Sequence, residues 1–248
     1  MALDFVRTIR KTPIVVNDSR GFYASRVVGT YLREGHLMLT EGVPPALIEN
    51  VARMAGMPVG PLSLTDEVAV DLAWKILKAT EADLGAAAVD PKQKALLGEM
   101  VEKRSRFGRK NGKGFYDYPQ NAPKRLWAGL AELQLNGLDV DDIDIAVLKR
   151  RLLGIQALES ARCIEDRVVT DVREADVGSI LGFGFAPFTG GTISYVDGMG
   201  VKNFVQMCND LAKACGGRFK PSKLLTDMAK KGETFYGRFA PAKRKAVA

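Results

Sequence analysis

The run Phe107-Gly108-Arg109-Lys110-Asn111-Gly112-Lys113-Gly114 sets Lys110 among three glycines, with Lys113 close behind. A flexible ammonium beside glycines suits a phosphate or ribose hydroxyl, because it is a compact charge with three donors. A solvated surface lysine is the plainer reading of the same residue. The sole histidine, His36, sits mid-helix beside Gly35. General-base work needs an oriented imidazole, and no carboxylate partner is indicated, so His36 reads as an ordinary helix histidine. In Gly60-Pro61-Leu62 the glycine either permits close approach of a ligand to the backbone or simply makes a tight interhelix turn. No Gly-x-Gly-x-x-Gly follows a strand, and Gly182-x-Gly184 falls at a helix end, so the cradle for a dinucleotide pyrophosphate is missing. The three cysteines (Cys163, Cys208, Cys215) form no Cys-x-x-Cys and are odd in number. They read as buried, reduced thiols, and no metal site is expected.

Helices must position these groups. Ala2 to Arg10 reads as a short helix with Leu3, Phe5, Val6 and Ile9 apolar. Pro13 precedes a β-branched strand, Ile14 to Val16, which ends in an Asn-Asp-Ser turn; Gly21 then opens a long helix. Its Val27/Val28, Tyr31/Leu32 and Met38/Leu39 recur at three- and four-residue spacing, so one face is buried. Further helices are expected from Pro44-Pro45 to about Met54, from an N-cap at Asp66 to before Gly85, and from Pro91 to about Arg104. Phe115 to Tyr118 looks extended, and Pro119 to Pro123 reads as a linker. A lone strand cannot satisfy its own backbone, and the rest of the chain holds no plausible sheet to receive Ile14–Val16. The chain is therefore expected to start in the middle of something larger.

With 248 residues, 46% of them hydrophobic and 26% charged, the chain can bury a core of one or two domains. No stretch approaches the roughly 18 apolar residues of a membrane span, and Met1-Ala2-Leu3-Asp4 is no signal peptide. The net charge of +7 is spread along the chain, apart from Lys103 to Lys110 and the tail Lys243-Arg244-Lys245. No recognition motif accompanies it, so nucleic acid is not an expected partner; a phosphate-bearing coenzyme fits a local basic loop.

The pattern also recurs. Leu152-Leu153-Gly154 matches Val27-Val28-Gly29, and Glu159 falls where Glu34 does. Gly182 to Pro187 lines up with Gly56 to Pro61 without a gap, and Lys230-Lys231-Gly232 through Tyr236 mirrors Lys110-Asn111-Gly112 through Tyr116. Two copies of one helical unit are expected, each with an apolar face it cannot bury alone.

Three ordered motifs carry a resemblance to 3-hydroxyacyl-CoA dehydrogenases. Thr12 to Arg26 resembles the junction where the last strand of their NAD-binding domain enters the helical C-terminal domain. Gly56-Met57-Pro58-Val59-Gly60-Pro61 is similar to their Gly-Tyr-Pro-Met-Gly-Pro loop, and Phe107 to Tyr116 to their Phe-Gly-x-Lys-x-Gly-x-Gly-Phe-Tyr. The resemblance implies an all-α fold. It comprises two tandem copies of a 6-phosphogluconate-dehydrogenase-C-terminal-like helical domain packed about a pseudo-two-fold, with one leftover N-terminal β-strand. Residues 1–20 would be a remnant of the NAD-binding domain, 21–118 the first helical domain, 119–134 a linker, 135–240 the second domain and 241–248 a basic tail. This arrangement is similar to the bacterial fatty-oxidation α-subunits.

The implied activity is NAD-dependent oxidation of (S)-3-hydroxyacyl-CoA in fatty-acid β-oxidation. The family's catalytic His and its orienting Glu lie in the NAD-binding domain, so this chain alone is expected to be silent. By the same resemblance Lys110 reaches NAD, and Ser25 stands at the place of an Asn near substrate and base. Serine is the shorter group, and a plain helix-entry role fits it equally. Arg26 would pair structurally near the helix start. Gly60, Pro61 and Leu62 would wall the acyl and pantetheine portion, and Leu181 would make an apolar substrate contact. Lys230, the counterpart of Lys110, would be a relic. Expected partners are acyl-CoA, the chain's own upstream NAD-binding domain and a thiolase subunit. The compartment would be the cytoplasm of a bacterium or the mitochondrial matrix of a eukaryote. Two rivals remain: a stand-alone helical module that binds acyl-CoA or a partner, and the helical domain of another β-hydroxy acid dehydrogenase.

Overall fold

The computed structural model describes residues 2–134 and 137–239, so the basic tail Lys243-Arg244-Lys245 lies outside the described residues. The chain forms two compact units, one from residues 31–152 and one from 1–30 with 153–248. The division falls inside two long helices, α2 (Ala24–Thr40) and α7 (Ile145–Glu165). Among the described residues no helix is long and apolar enough to cross a membrane, and no group of three metal-ligating side chains gathers.

In the unit 31–152, α3 (Pro45–Met54) starts on a proline whose missing N–H is no loss at that position, and it buries Ile48, Val51 and Ala52. The single helix expected from Asp66 is two: α4 (Pro61–Val68) and α5 (Val70–Leu84), broken at Ala69 with φ 94° and ψ 123°. Asp66 caps neither; it lies inside α4, 1% exposed. Asp90 does cap α6 (Pro91–Gly98), accepting from the amides of Lys92 and Gln93. The helix continues as a π-turn over Glu99–Lys103. β1 (Tyr116–Asp117) pairs antiparallel with β2 (Arg125–Leu126), Tyr116 opposite Leu126. His36 is fully buried, bonded through Nε2 to Thr65 Oγ1 at 2.9 Å and through Nδ1 to Gln93 at 3.2 Å, and stacked on Phe115. Burial pulls its pKa down to about 3, so it is a neutral core histidine.

In the other unit α1 (Ala2–Thr8) buries nothing. Segment Ile14–Val16 is extended but forms no regular strand here. Its one ladder contact is the bridge Val16–Val169. The Asn17 amide donates to Val168 O at 2.8 Å and Val15 N to Glu174 Oε2 at 3.0 Å, while Ile14 packs against Gly178. Within the segment a carboxylate takes the Val15 amide, and a loop carbonyl takes that of the following Asn17. α8 (Val172–Phe183) is capped by Asp171 and ends on Gly184 in the left-handed region. α9 (Thr192–Met199), α10 (Val201–Cys215), α11 (Lys223–Lys231) and α12 (Phe235–Arg238) complete the unit. Tyr23 Oη donates to Ala175 O at 2.9 Å and shares hydrogen bonds with Ser160 and Thr192, which ties α2 into this core. Cys163 and Cys208 are buried, and burial pushes both thiols up to about 12; Cys215 is only half-buried, against expectation.

Two ion pairs are reciprocal. Arg26 on α2 binds Glu159 on α7 at 2.7 Å. Arg151 on α7 binds Glu34 on α2 at 2.6 Å. Gly200 breaks α9 from α10 at φ 83° and ψ 127°, the conformation Ala69 holds between α4 and α5. Only glycine adopts that region without strain. Ala69→Gly should therefore raise stability by about 1 kcal/mol, since relief of roughly 1–3 kcal/mol outweighs glycine's roughly 0.5–1 kcal/mol entropic cost. A lower melting temperature for this variant would contradict the account.

Candidate functional site

The loop carrying Lys110 is built from below by one carboxylate. Asp66 accepts from Phe115 N at 2.8 Å, Tyr116 N at 2.8 Å and Tyr118 Oη at 3.1 Å. This fixes the end of the loop on α4. The glycines follow from that contact. A Cβ on Gly114 would lie 2.0 Å from Asp66 Oδ1, and one on Gly108, at φ 97°, would lie 2.5 Å from the Asp66 carbonyl oxygen. Asn111 closes the turn, donating to Ser105 O at 2.8 Å and accepting from Phe107 N at 3.2 Å. Arg106 runs beneath, donating to Gly114 O and Asp117 Oδ1 at 2.6 Å each, with its guanidinium 4.1 Å over Trp127. The Val70 amide donates to Phe107 O at 3.1 Å, so the loop docks on the α4–α5 break.

Lys110 lies on the outer side of this scaffold, its side chain 49% exposed. Its Nζ is 2.5 Å from Asp71 Oδ1 at the start of α5, and Lys75 approaches Asp71 Oδ2 at 3.6 Å. The hydrogen bond from Lys110 holds the Asp71 carboxyl below its usual range. Burial has the opposite effect on Asp66, pushing it up to about 6 despite three donors. An ammonium with three N–H groups and one carboxylate neighbour fits a single point contact to a phosphate or ribose oxygen. That is the part of a dinucleotide these residues suit; the pyrophosphate cradle of a Gly-x-Gly-x-x-Gly turn does not accompany it.

The other expected site residues are placed differently. Gly60, Pro61 and Leu62 are buried within this unit, Leu62 completely. The close approach at Gly60 is filled from within: a Cβ there would sit 2.4 Å from the Glu49 carboxylate. Glu49 in turn accepts from Leu62 N at 2.9 Å and Tyr116 Oη at 2.9 Å, and burial raises its pKa. Ser25 is exposed in the first turn of α2. Arg26 beside it pairs with Glu159 and Asp166, the structural role expected of it. Leu181 is 68% exposed on α8. Ser25 and Leu181 belong to the unit of residues 1–30 and 153–248, Lys110 to the unit 31–152.

The contacts of Glu49 and Asp66 have counterparts in the other unit. Asp176 accepts from Ile193 N at 2.7 Å and Tyr236 Oη at 2.8 Å, and a Cβ on Gly191 would lie 2.4 Å from it. Asp197 accepts from Phe235 N and Tyr236 N at 2.8 and 3.0 Å. These bonds match Gly60-Pro61 with Gly191-Thr192, so the gapless match of Gly56–Pro61 to Gly182–Pro187 runs out of register. Lys230 lies in the last turn of α11. Sequence reasoning missed the roles of Glu49, Asp66 and Asp71, which no local signal marks.

Residues 21–118 match the family described as 3-hydroxyacyl-CoA dehydrogenase, C-terminal domain. Two solved structures share the fold. One is 3-hydroxybutyryl-CoA dehydrogenase from Escherichia coli K12 substr. MG1655, with TM-score 0.69 and 18% identity over 92% of this chain. The other is the dehydrogenase part of multifunctional enzyme 1 from C. elegans, with TM-score 0.66 and 20% identity over 91%. The chain spans 64% and 52% of their respective lengths.

Proposed function

We propose that this chain is the helical portion of an NAD-dependent (S)-3-hydroxyacyl-CoA dehydrogenase of fatty-acid β-oxidation. In this reading it supplies one cofactor contact, Lys110, while hydride chemistry takes place on a dinucleotide-binding domain. When bound, NAD takes the hydride from the hydroxyl-bearing carbon of the substrate. Lys110 neutralises and orients a phosphate or ribose oxygen; Asp66 and Arg106 hold its loop. The observation that carries the reading is the Lys110 loop, seated on a buried carboxylate inside the family-matched segment. Ser25 is proposed as a polar group at the mouth of the substrate side, and Leu181 as an apolar contact there.

The reciprocal pairs Arg26–Glu159 and Arg151–Glu34, with the paired carboxylates Glu49/Asp176 and Asp66/Asp197, support descent of the chain from two copies of one unit. The test of Lys110 uses a protein in which this chain follows a dinucleotide-binding domain. There Lys110→Ala should raise the KM for NAD about tenfold or more, the worth of a charged hydrogen bond of roughly 1.5–3 kcal/mol, with a smaller change in the KM for acyl-CoA. An unchanged KM for NAD removes Lys110 from the site. A second reading, a helical module that binds acyl-CoA without redox chemistry, gains from one observation: Ile14–Val16 finds its partners within the chain.

A further inference from the structure

Lys110 and Asp71 are fixed to one another through the backbone, because Val70, next to Asp71, donates to the Phe107 carbonyl at the start of the lysine loop. Only the lysine tip is free to swing. Asp71 is 16% exposed, whereas the two cations that touch it, Lys110 and Lys75, are 49% and 75% exposed. Its place in the first turn of α5 favours a carboxylate through the helix dipole. The acid is therefore shielded and held, while both cations face solvent. We propose that Asp71 is a built-in counter-ion that competes with a ligand phosphate for the Lys110 ammonium, with Lys75 taking over Asp71 when the ligand takes Lys110. This rests on the reading of Lys110 as a phosphate contact and adds the group that sets its affinity. No backbone movement is needed for the exchange; the ammonium turns from one acceptor to another.

The probe is inorganic pyrophosphate, titrated into the full chain at low salt and followed through the side-chain NMR signals of Lys110 and Lys75. The wild-type chain should respond at Lys110. Asp71→Asn should bind about two- to fivefold more tightly, the worth of a partly exposed ion pair, and added salt should shrink that difference. Lys75→Ala should bind more weakly, since Asp71 then has Lys110 as its one cation, and Lys110→Met should abolish the response. Asp71→Ala serves as a second variant if Asp71→Asn disturbs the start of α5. A Lys110 response in the wild type that is equal or stronger than in both Asp71 variants overturns the counter-ion and leaves the phosphate reading standing. No response at Lys110 in any of these proteins overturns both.

Discussion

Asp66→Ala should destabilise the chain by about 2–4 kcal/mol, because it strips the acceptor from two buried amides and a phenol. The loss is expected to fall on the loop first, so amide exchange at Phe115 and Tyr116 should quicken most. Protonation gives the effect a definite sign. Burial raises the folded-state pKa of Asp66 from 3.8 to about 6, so the folded chain holds a proton the unfolded chain releases. That stabilising contribution is complete below about pH 4 and is lost as pH rises through about 6. Asp66→Asn cannot titrate. Its deficit relative to wild type in urea unfolding should therefore be larger at pH 4 than at pH 7, and a deficit that grows toward pH 7 would contradict the assignment.

Arg151→Met carries the other large expected effect, about 3–5 kcal/mol, since it takes the 2.6 Å guanidinium contact from the Glu34 carboxylate, 0% exposed. The Arg151 guanidinium also reaches Glu41 at 2.7 Å, which adds to the loss. Replacing both partners, as in Glu34→Gln with Arg151→Met, should recover much of it, because the buried charge is then gone. A double-mutant cycle by urea unfolding reads the coupling directly. The reciprocal change, Arg26→Met, should cost less, about 1–2 kcal/mol. Glu159 keeps a second cation there, Arg162 at 3.2 Å, and that pair sees more solvent. Equal costs for the two arginines would contradict this reading of burial.

The difference between what was and was not legible in the sequence follows the range of the interactions. The helices starting at Pro45 and Pro91 could be read because a proline start signal is local. Asp66 was misread because its donors lie about fifty residues away, at Phe115 and Tyr116, and nothing local distinguishes such a carboxylate from a cap. The break at Ala69 was invisible for a related reason. The residue is an ordinary helix former, held in a strained conformation by the docking of Phe107 and Gly108. Gly60 shows that a glycine signals close approach without naming what approaches; here it is Glu49. Ile14–Val16 was recognisable as extended, but its acceptors, a loop carbonyl and Glu174, carry no sheet-like pattern. Of the surroundings of Lys110 only the glycines could be read, because they are its sequence neighbours; Asp66 and Asp71 come from about forty residues away.

On the proposed function, these helical units bind and orient but do not themselves move the hydride. The measurement that tests it most directly is NADH formation from 3-hydroxybutyryl-CoA and NAD by the purified chain, followed by absorbance. The account predicts no rate above background, with activity appearing when a dinucleotide-binding domain of the family precedes the chain. Sustained NADH production by the chain alone, abolished by substitution of one of its own residues, would contradict it.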